Sequence, residues 1–458
     1  MQESKDDLLR GPIWKGLVLF ALPILLGQVF QQLYNTADAW IVGRFLSNEA
    51  YSAVTSTSSL VFLLVGFFSG IAVGAGVVIA RYYGANDVQK LRCAIHTTVV
   101  FGVLSGLFLT AAGIALTPWL LEKMGTPVEN MPYSVEYFRY YFAGGLAICM
   151  YNLCMGILRA VGDSKHPLYY LIASSLVNIA LDFLFIGGFK WGVWSAALAT
   201  TISQFVSMVL CLYRLFRYPT VYQLKLRDLK PDWRMMKEII RYGLPSGLQN
   251  SIIGFANVIV QTNINAFGTV TVAGCGTYSK LEGFAFLPIT CFAMALTTFV
   301  GQNLGAKQYD RTKRGTRFGI LCSVIMAELI GVILIVFAKP LVRSFNADNP
   351  EAVTIGVQQA RVEALFYCFL AFSHCIAAIL RGAGKPLVPM LVMLGSWCLL
   401  RVTYITVMVS IVKERWVIFS AYPLTWTVSS IIFLIYYLKS DWLHTFDRAE
   451  RKLKSRKG

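Results

Sequence analysis

The 458-residue chain predicts an all-α polytopic membrane protein with twelve transmembrane helices in two six-helix bundles. Three observations carry that expectation. The composition is 56% hydrophobic and only 14% charged, with mean hydropathy +0.59, where soluble domains carry about 25% charged residues. Apolar runs of about 20 residues or more recur along the whole length, each long enough to cross a bilayer. The chain also repeats itself. Together these exclude a soluble enzyme with a polar coat and a disordered chain.

The spans read near 15–42, 52–79, 94–118, 136–158, 167–187, 191–213, 240–266, 272–299, 318–338, 359–380, 387–412 and 416–438. Long continuous runs indicate helices, because membrane strands show short alternating segments of about ten residues. Lys and Arg divide unevenly between the connecting segments. Thirty fall on one side, in the N-terminus, the even-numbered loops and the tail, and seven on the other. The positive-inside rule then puts both termini in the cytoplasm of a multi-pass plasma-membrane protein. The net charge of +17 is thereby a topology and lipid signal, and nucleic acid is not an expected partner.

The repeat has an offset of about 222 residues. Leu22-Pro23 returns as Leu244-Pro245, Pro118 as Pro340, Leu158-Arg159 and Gly162 as Leu380-Arg381 and Gly384, and Pro167 as Pro389. Gly84-Ala85 returns as Gly305-Ala306 with the offset slipped by one. The expected organisation is an N-terminal bundle over 1–213, a basic linker over 214–239, a C-terminal bundle over 240–438 and a basic tail over 439–458. Six spans per copy means that both copies enter the membrane from the same side, related by a pseudo-twofold axis along the membrane normal. Pro231-Asp232 reads as the start of a short interfacial helix through Trp233 and Met236.

Ionisable side chains within spans are costly, roughly 2.5–3.5 kcal/mol on insertion scales, and are functional candidates by default. Asp38 and Asp182 each lie about five residues below the outer ends of spans 1 and 5. Asn178 is one turn deeper than Asp182 on the same face, and Thr200 is about nine residues down span 6. At 1.5 Å per residue all four sit roughly 7–14 Å below the outer boundary. Two carboxylates, an amide and a hydroxyl make an all-oxygen site suited to a proton or a hard cation such as Na+. Pro23, in the same helix as Asp38, removes a backbone hydrogen bond and permits a kink. Gln31, Tyr34 and Asn35 are spaced to share a face with Asp38 and can line a cavity.

The second copy differs. Asn178 aligns with Leu400 and Asp182 with Tyr404, beside Arg401. A fixed cation there repels a bound one, so the ion site is expected in the first bundle alone. Glu282 and Glu328 read as the remaining buried acids. Glu282 is expected either to bridge to Arg401 or to act on cations itself. The ten cysteines lack CxxC spacing, the four histidines show no metal-ligand pattern, and no phosphate-cradling glycine loop is present. A catalytic role, an organic cofactor and ATP-driven transport are therefore not expected.

These residues resemble the multidrug and toxic compound extrusion family over almost the whole chain. The likeness rests on Leu22-Pro23, Gln31, Tyr34-Asn35 and Asp38, and on Val73-Gly74 and Arg81-Tyr82-Tyr83-Gly84-Ala85. It continues through Leu158–Asp163 with Pro167, Asn178 with Asp182, and Gly301–Ala306. The resemblance implies an antiporter coupled to H+ or Na+ that exports small amphipathic, often cationic, organic compounds by alternating access. It also implies ion uptake at the positions that read here Asp38, Asn178, Asp182 and Thr200. Membrane lipids are the other expected partners, and the chain is expected to act as a monomer. The competing expectation is a lipid-linked oligosaccharide flippase of related architecture.

Overall fold

A computed structural model of the chain describes residues 8–46, 48–123, 126, 128–345 and 349–455. Every regular element among them is helical. The first copy contains α1 (Ile13–Phe45), α2 (Asn48–Gly84), α3 (Val88–Lys123), α4 (Met131–Ala143), α5 (Gly145–Ala160), α6 (Lys165–Asp182) and α7 (Trp194–Arg217). The second contains α8 (Trp233–Asn265), α9 (Thr269–Gly305), α10 (Tyr309–Val336), the short α11 (Ala338–Arg343), α12 (Pro350–Glu363), α13 (Tyr367–Gly382), α14 (Leu387–Met393), α15 (Arg401–Val412) and α16 (Trp416–Lys439). A terminal helix, α17, covers Thr445–Ser455.

Ten of the described helical segments are long and apolar enough to cross a membrane, and α4 with α5 makes an eleventh, bent by 48° at Gly144. The helix α8 supplies the twelfth. Its 33 residues reach about 50 Å at 1.5 Å each, and its first turns are polar. It also corrects one expectation. Trp233 and Met236 do not form a separate interfacial helix but open α8, which runs unbroken through Pro245. Asp232 starts it by accepting hydrogen bonds from the Arg234 and Met235 amides, both at 2.8 Å, as an N-capping carboxylate does.

The chain divides into two compact units. One is Leu22–Gly247. The other takes the segment up to Ala21 together with Leu248 onward. Two helices therefore change unit part-way, α1 just before Pro23 and α8 just after Pro245. In the first unit, Ala75, Ile79, Ile95, Cys154, Ile157 and Cys211 lie at the centre of a core that also takes in the linker residues Tyr222 and Leu224. A further cluster gathers Ile41, Phe138, Phe142, Ile186 and Ala197. The second unit buries Ile264, Ile355, Ile405 and Phe419 together.

The backbone carries the repeat in detail. Six of the seven residues with positive φ among those described pair across it: Asn86 (53°) with Lys307 (57°), Gly162 (90°) with Gly384 (77°), and Lys190 (54°) with Lys413 (53°). At Gly162 the Asp163 amide donates to the Leu158 carbonyl at 2.9 Å, and at Gly384 the Lys385 amide donates to the Leu380 carbonyl at 2.8 Å. Both are six-to-one closures of a helix C-terminus, which need a left-handed residue and so favour glycine.

Candidate functional site

Asp38 lies in the last third of α1, and Asp182 is the last residue of α6. Immediately after Asp182 the backbone widens into a π-helical turn, Phe183–Gly188. Such turns insert a residue into the helical register and recur at functional sites. The two carboxyl groups are close enough to share a hydrogen bond when one of them carries a proton. Among the described residues, Asp38 Oδ1 and both oxygens of Asp182 are buried without a hydrogen-bond partner, and Asp182 is completely buried.

Asn178 is also buried, and neither its Oδ1 nor its Nδ2 finds a partner among the described residues. It stands one helical turn from Asp182 and keeps its full hydrogen-bonding capacity. The Thr200 hydroxyl donates to the Ala196 carbonyl of its own helix at 3.1 Å, so its oxygen lone pairs are what it can offer. Gln31 lies beside the Tyr34 hydroxyl, and Tyr34 lies within range of the charges of both aspartates. Asn35 is exposed. Tyr137, fully enclosed in α4, also feels both carboxylates and stacks on Tyr141 at 6.3 Å between ring centroids. Sequence reasoning missed Tyr137, because it sits in an aromatic-rich stretch where only the register of α4 singles it out.

Buried polar atoms without partners are uncommon in folded proteins. Here two carboxylates and an amide leave such atoms in one region. Two close carboxylates without a counter-charge hold a proton or a cation between them far more readily than they hold two full charges.

In the second unit the expected Glu282–Arg401 bridge does not form: no ion pair joins them among the described residues. Arg401 instead donates to the Thr425 hydroxyl, at 3.3 Å from Nε and 2.9 Å from Nη2. Its guanidinium also lies 4.2 Å from the centre of the Tyr422 ring, a cation–π distance. A second π-helical turn, Leu394–Leu400, runs directly up to Arg401. In both units, then, a widened turn abuts the charged residue of the equivalent span.

Glu363, which sequence reasoning overlooked, is completely buried at the end of α12. Its Oε1 accepts from the Gln359 amide at 2.8 Å, while Oε2 has no partner among the described residues. Glu282 and Arg401 act on it electrostatically, and the hydroxyls of Tyr278 and Tyr367 share a 3.0 Å hydrogen bond nearby. Glu328 is half-buried, with one carboxylate oxygen unpartnered.

Comparison with known proteins agrees with this architecture. A Bacillus subtilis protein called "Probable multidrug resistance protein YoeA" is 29% identical over 450 residues, covering 95% of this chain and 97% of its own. "Probable multidrug resistance protein NorM" of Thermotoga maritima is 28% identical over 394 residues, covering 83% and 82%. Among solved structures, "Outward-facing conformation of a multidrug resistance MATE family transporter of the MOP superfamily" superposes with a TM-score of 0.89 at 23% identity, covering 98% of this chain and 99% of that one. A transporter from Pyrococcus furiosus, titled for the reverse polarity of its binding pocket, superposes with a TM-score of 0.88 at 24% identity, covering 95% and 97%. These likenesses extend over both copies of the repeat. The MatE family profile matches residues 23–184 and again 245–407, two segments that start 222 residues apart and together span well over half the sequence, so the chain belongs to the MatE family.

Proposed function

We propose that the protein is a cation-coupled antiporter that exports amphipathic, often cationic, organic compounds across the plasma membrane by alternating access, with both termini in the cytoplasm. The observation that carries the coupling is the Asp38–Asp182 pair: two carboxyl groups in hydrogen-bonding range, deep in the first unit, with unpartnered oxygens. Either H+ or Na+ satisfies such a pair. Asn178 and Thr200 complete an oxygen-bearing ligand set that suits a hard cation. The relatives' names give the substrate class its support.

The cycle follows from the charges. With the pair empty, two negative charges repel in a poorly solvated site. Uptake of one ion from outside removes that repulsion and changes the preferred packing of α1 and α6. Pro23 gives α1 a point at which one backbone hydrogen bond is already missing, so bending there costs less than elsewhere in the helix. Gln31 and Tyr34 share the face of Asp38, so a bend re-aims them and reshapes the cavity that holds substrate. A substrate that favours the packing of the ion-free pair and an ion whose uptake favours the other packing then exclude one another, which is the condition for exchange.

The test is ethidium efflux from loaded cells, with proton and sodium gradients collapsed one at a time. Efflux that stops when one gradient is removed identifies the coupling ion. Efflux indifferent to both rejects coupling, and no efflux of any amphipathic cation turns the assignment toward a lipid-linked oligosaccharide flippase.

A further inference from the structure

The linker and the start of α3 frame a cavity of about 610 Å³ in the first unit, lined by none of the candidate ion ligands. That volume lies in the range of small-molecule sites, about 300–1,000 Å³. Three hydrogen bonds hold the two walls in place. The Lys225 amide donates to His96 Nε2 at 3.1 Å, the Asp232 amide to the Thr97 hydroxyl at 3.4 Å, and Arg92 Nε to the Val221 carbonyl at 3.2 Å. Charges of both signs face the space: Arg92 and Lys230, with Asp228 and Asp232. Among the described residues no ion pair joins either cation to either carboxylate.

The cavity lies at the foot of the exposed apolar face of α3. Leu104, Leu107 and Phe108 on that face are 55%, 52% and 71% exposed. Cys93, which lines the cavity, precedes Leu104 by eleven residues, about three helical turns, so the two share a face. The apolar run of this span opens near residue 94, so the cavity stands where hydrocarbon gives way to headgroups. Leu226 and Trp233 of the adjoining chain are 72% and 68% exposed. An exposed Leu and Trp beside charged side chains suit that boundary layer, where Trp is concentrated. It is the end of the span that the Lys and Arg distribution assigns to the cytoplasm.

We propose that this cavity binds the headgroup of one phospholipid carrying a primary ammonium, of the phosphatidylethanolamine type, with its acyl chains along the Leu104–Phe108 face. Arg92 and Lys230 meet the phosphate, and Asp228 and Asp232 meet the ammonium. A primary ammonium donates hydrogen bonds to carboxylates, which a trimethylammonium cannot do. The four side chains sum to zero charge, which matches a zwitterion. A headgroup of net negative charge would leave both carboxylates uncompensated. Opposite charges that face one space without pairing gain most from a ligand that spans them. The apolar face above the cavity favours a lipid over a soluble zwitterion, and binding fastens the linker to α3.

The experiment titrates the full chain in detergent with phosphatidylethanolamine, phosphatidylcholine and phosphatidylglycerol of identical acyl chains. Native mass spectrometry counts retained lipid, and the melting temperature reports stabilisation. The wild-type protein should retain one phosphatidylethanolamine with at least threefold higher affinity than either other lipid, and its melting temperature should rise with that lipid's concentration. Lys230→Gln should weaken this binding roughly three- to tenfold, the effect of losing one partly hydrated charge-assisted hydrogen bond. Asp228→Asn should erase the preference over phosphatidylglycerol. Both side chains are exposed and neither ties the cavity walls, so both variants should fold. Soluble phosphoethanolamine at the same concentration should not displace the lipid.

Equal affinity for the three lipids, or a wild-type preference for phosphatidylglycerol, overturns the assignment. So does a phosphatidylethanolamine preference that Lys230→Gln and Asp228→Asn both leave intact, since the lipid then sits elsewhere. Displacement by soluble phosphoethanolamine at matched concentration rejects the lipid and makes a soluble zwitterion the occupant. The readout is lipid retention, so the result stands apart from which cation, if any, drives transport.

Discussion

Asp38 and Asp182 meet carboxyl to carboxyl within the first unit, and neither oxygen of Asp182 receives a hydrogen bond from any other described residue. Asp38→Asn and Asp182→Asn each replace one shared charge by an amide that can donate to the other carboxylate and satisfy it permanently. Coupling energies between transported species are typically about 1–3 kcal/mol, or about 5- to 150-fold. Gradient-driven efflux should fall at least fivefold in either variant, with unchanged amounts of protein in the membrane. Near-normal export by either variant removes the pair from the mechanism.

Asn178→Leu and Thr200→Val distinguish the ions. Both keep approximate shape and delete oxygen ligands. If Na+ occupies the site, the concentration giving half-maximal efflux should rise about tenfold or more in each, because a hard cation needs several oxygens. If a proton alone is taken up, the carboxyl pair suffices and the two variants should shift the ion dependence far less. The sodium titration of efflux at fixed pH reads the difference.

Pro23→Ala restores the missing backbone hydrogen bond in α1 and removes the ring. The stiffer helix should lower turnover several-fold while leaving substrate binding at equilibrium nearly unchanged. Equal turnover in wild type and variant would show the proline to be a fixed bend.

Arg401 acts electrostatically on Glu282 and Glu363 without an ion pair to either among the described residues. It also holds the Thr425 hydroxyl and the Tyr422 ring, so Arg401→Ala should lower thermal stability in detergent. Adding Glu363→Gln takes away the charge left uncompensated and should recover a large part of the loss. Lack of recovery would mean that Arg401 acts through Thr425 and the Tyr422 ring instead.

Gly315 on α10 faces Phe299 so closely that a Cβ would stand 2.1 Å from the ring. Gly315→Ala should destabilise the second unit by about 1–3 kcal/mol, the usual cost of overpacking a tight core. Phe299→Leu in the same protein should relieve part of it, as measured by the melting temperature of the double variant.

The sequence exposes these features unequally. The spans and the repeat were legible because hydropathy and the Leu-Arg…Gly pattern at 158–162 and 380–384 are local signals, and each Gly marks a left-handed helix end. Asp38 and Asp182 were legible as misfits in apolar runs. Glu363 was not. It ends α12, whose Glu351, Gln358, Gln359 and Arg361 make it read like a helix at a polar surface. What buries it is the close seating of α12 on α9, where a Cβ at Gly274 would lie 2.6 Å from the Ala352 carbonyl oxygen. That seating is tertiary information.

The exchange of helix stubs at Pro23 and Pro245 bears on how such a chain can arise. Each compact unit holds the opening turns of a helix whose remainder belongs to the other. A lone copy of the repeat would have an orphaned stub and a vacant berth, each the complement of the other. The two copies thus exchange these opening turns, as domain-swapped dimers exchange an element.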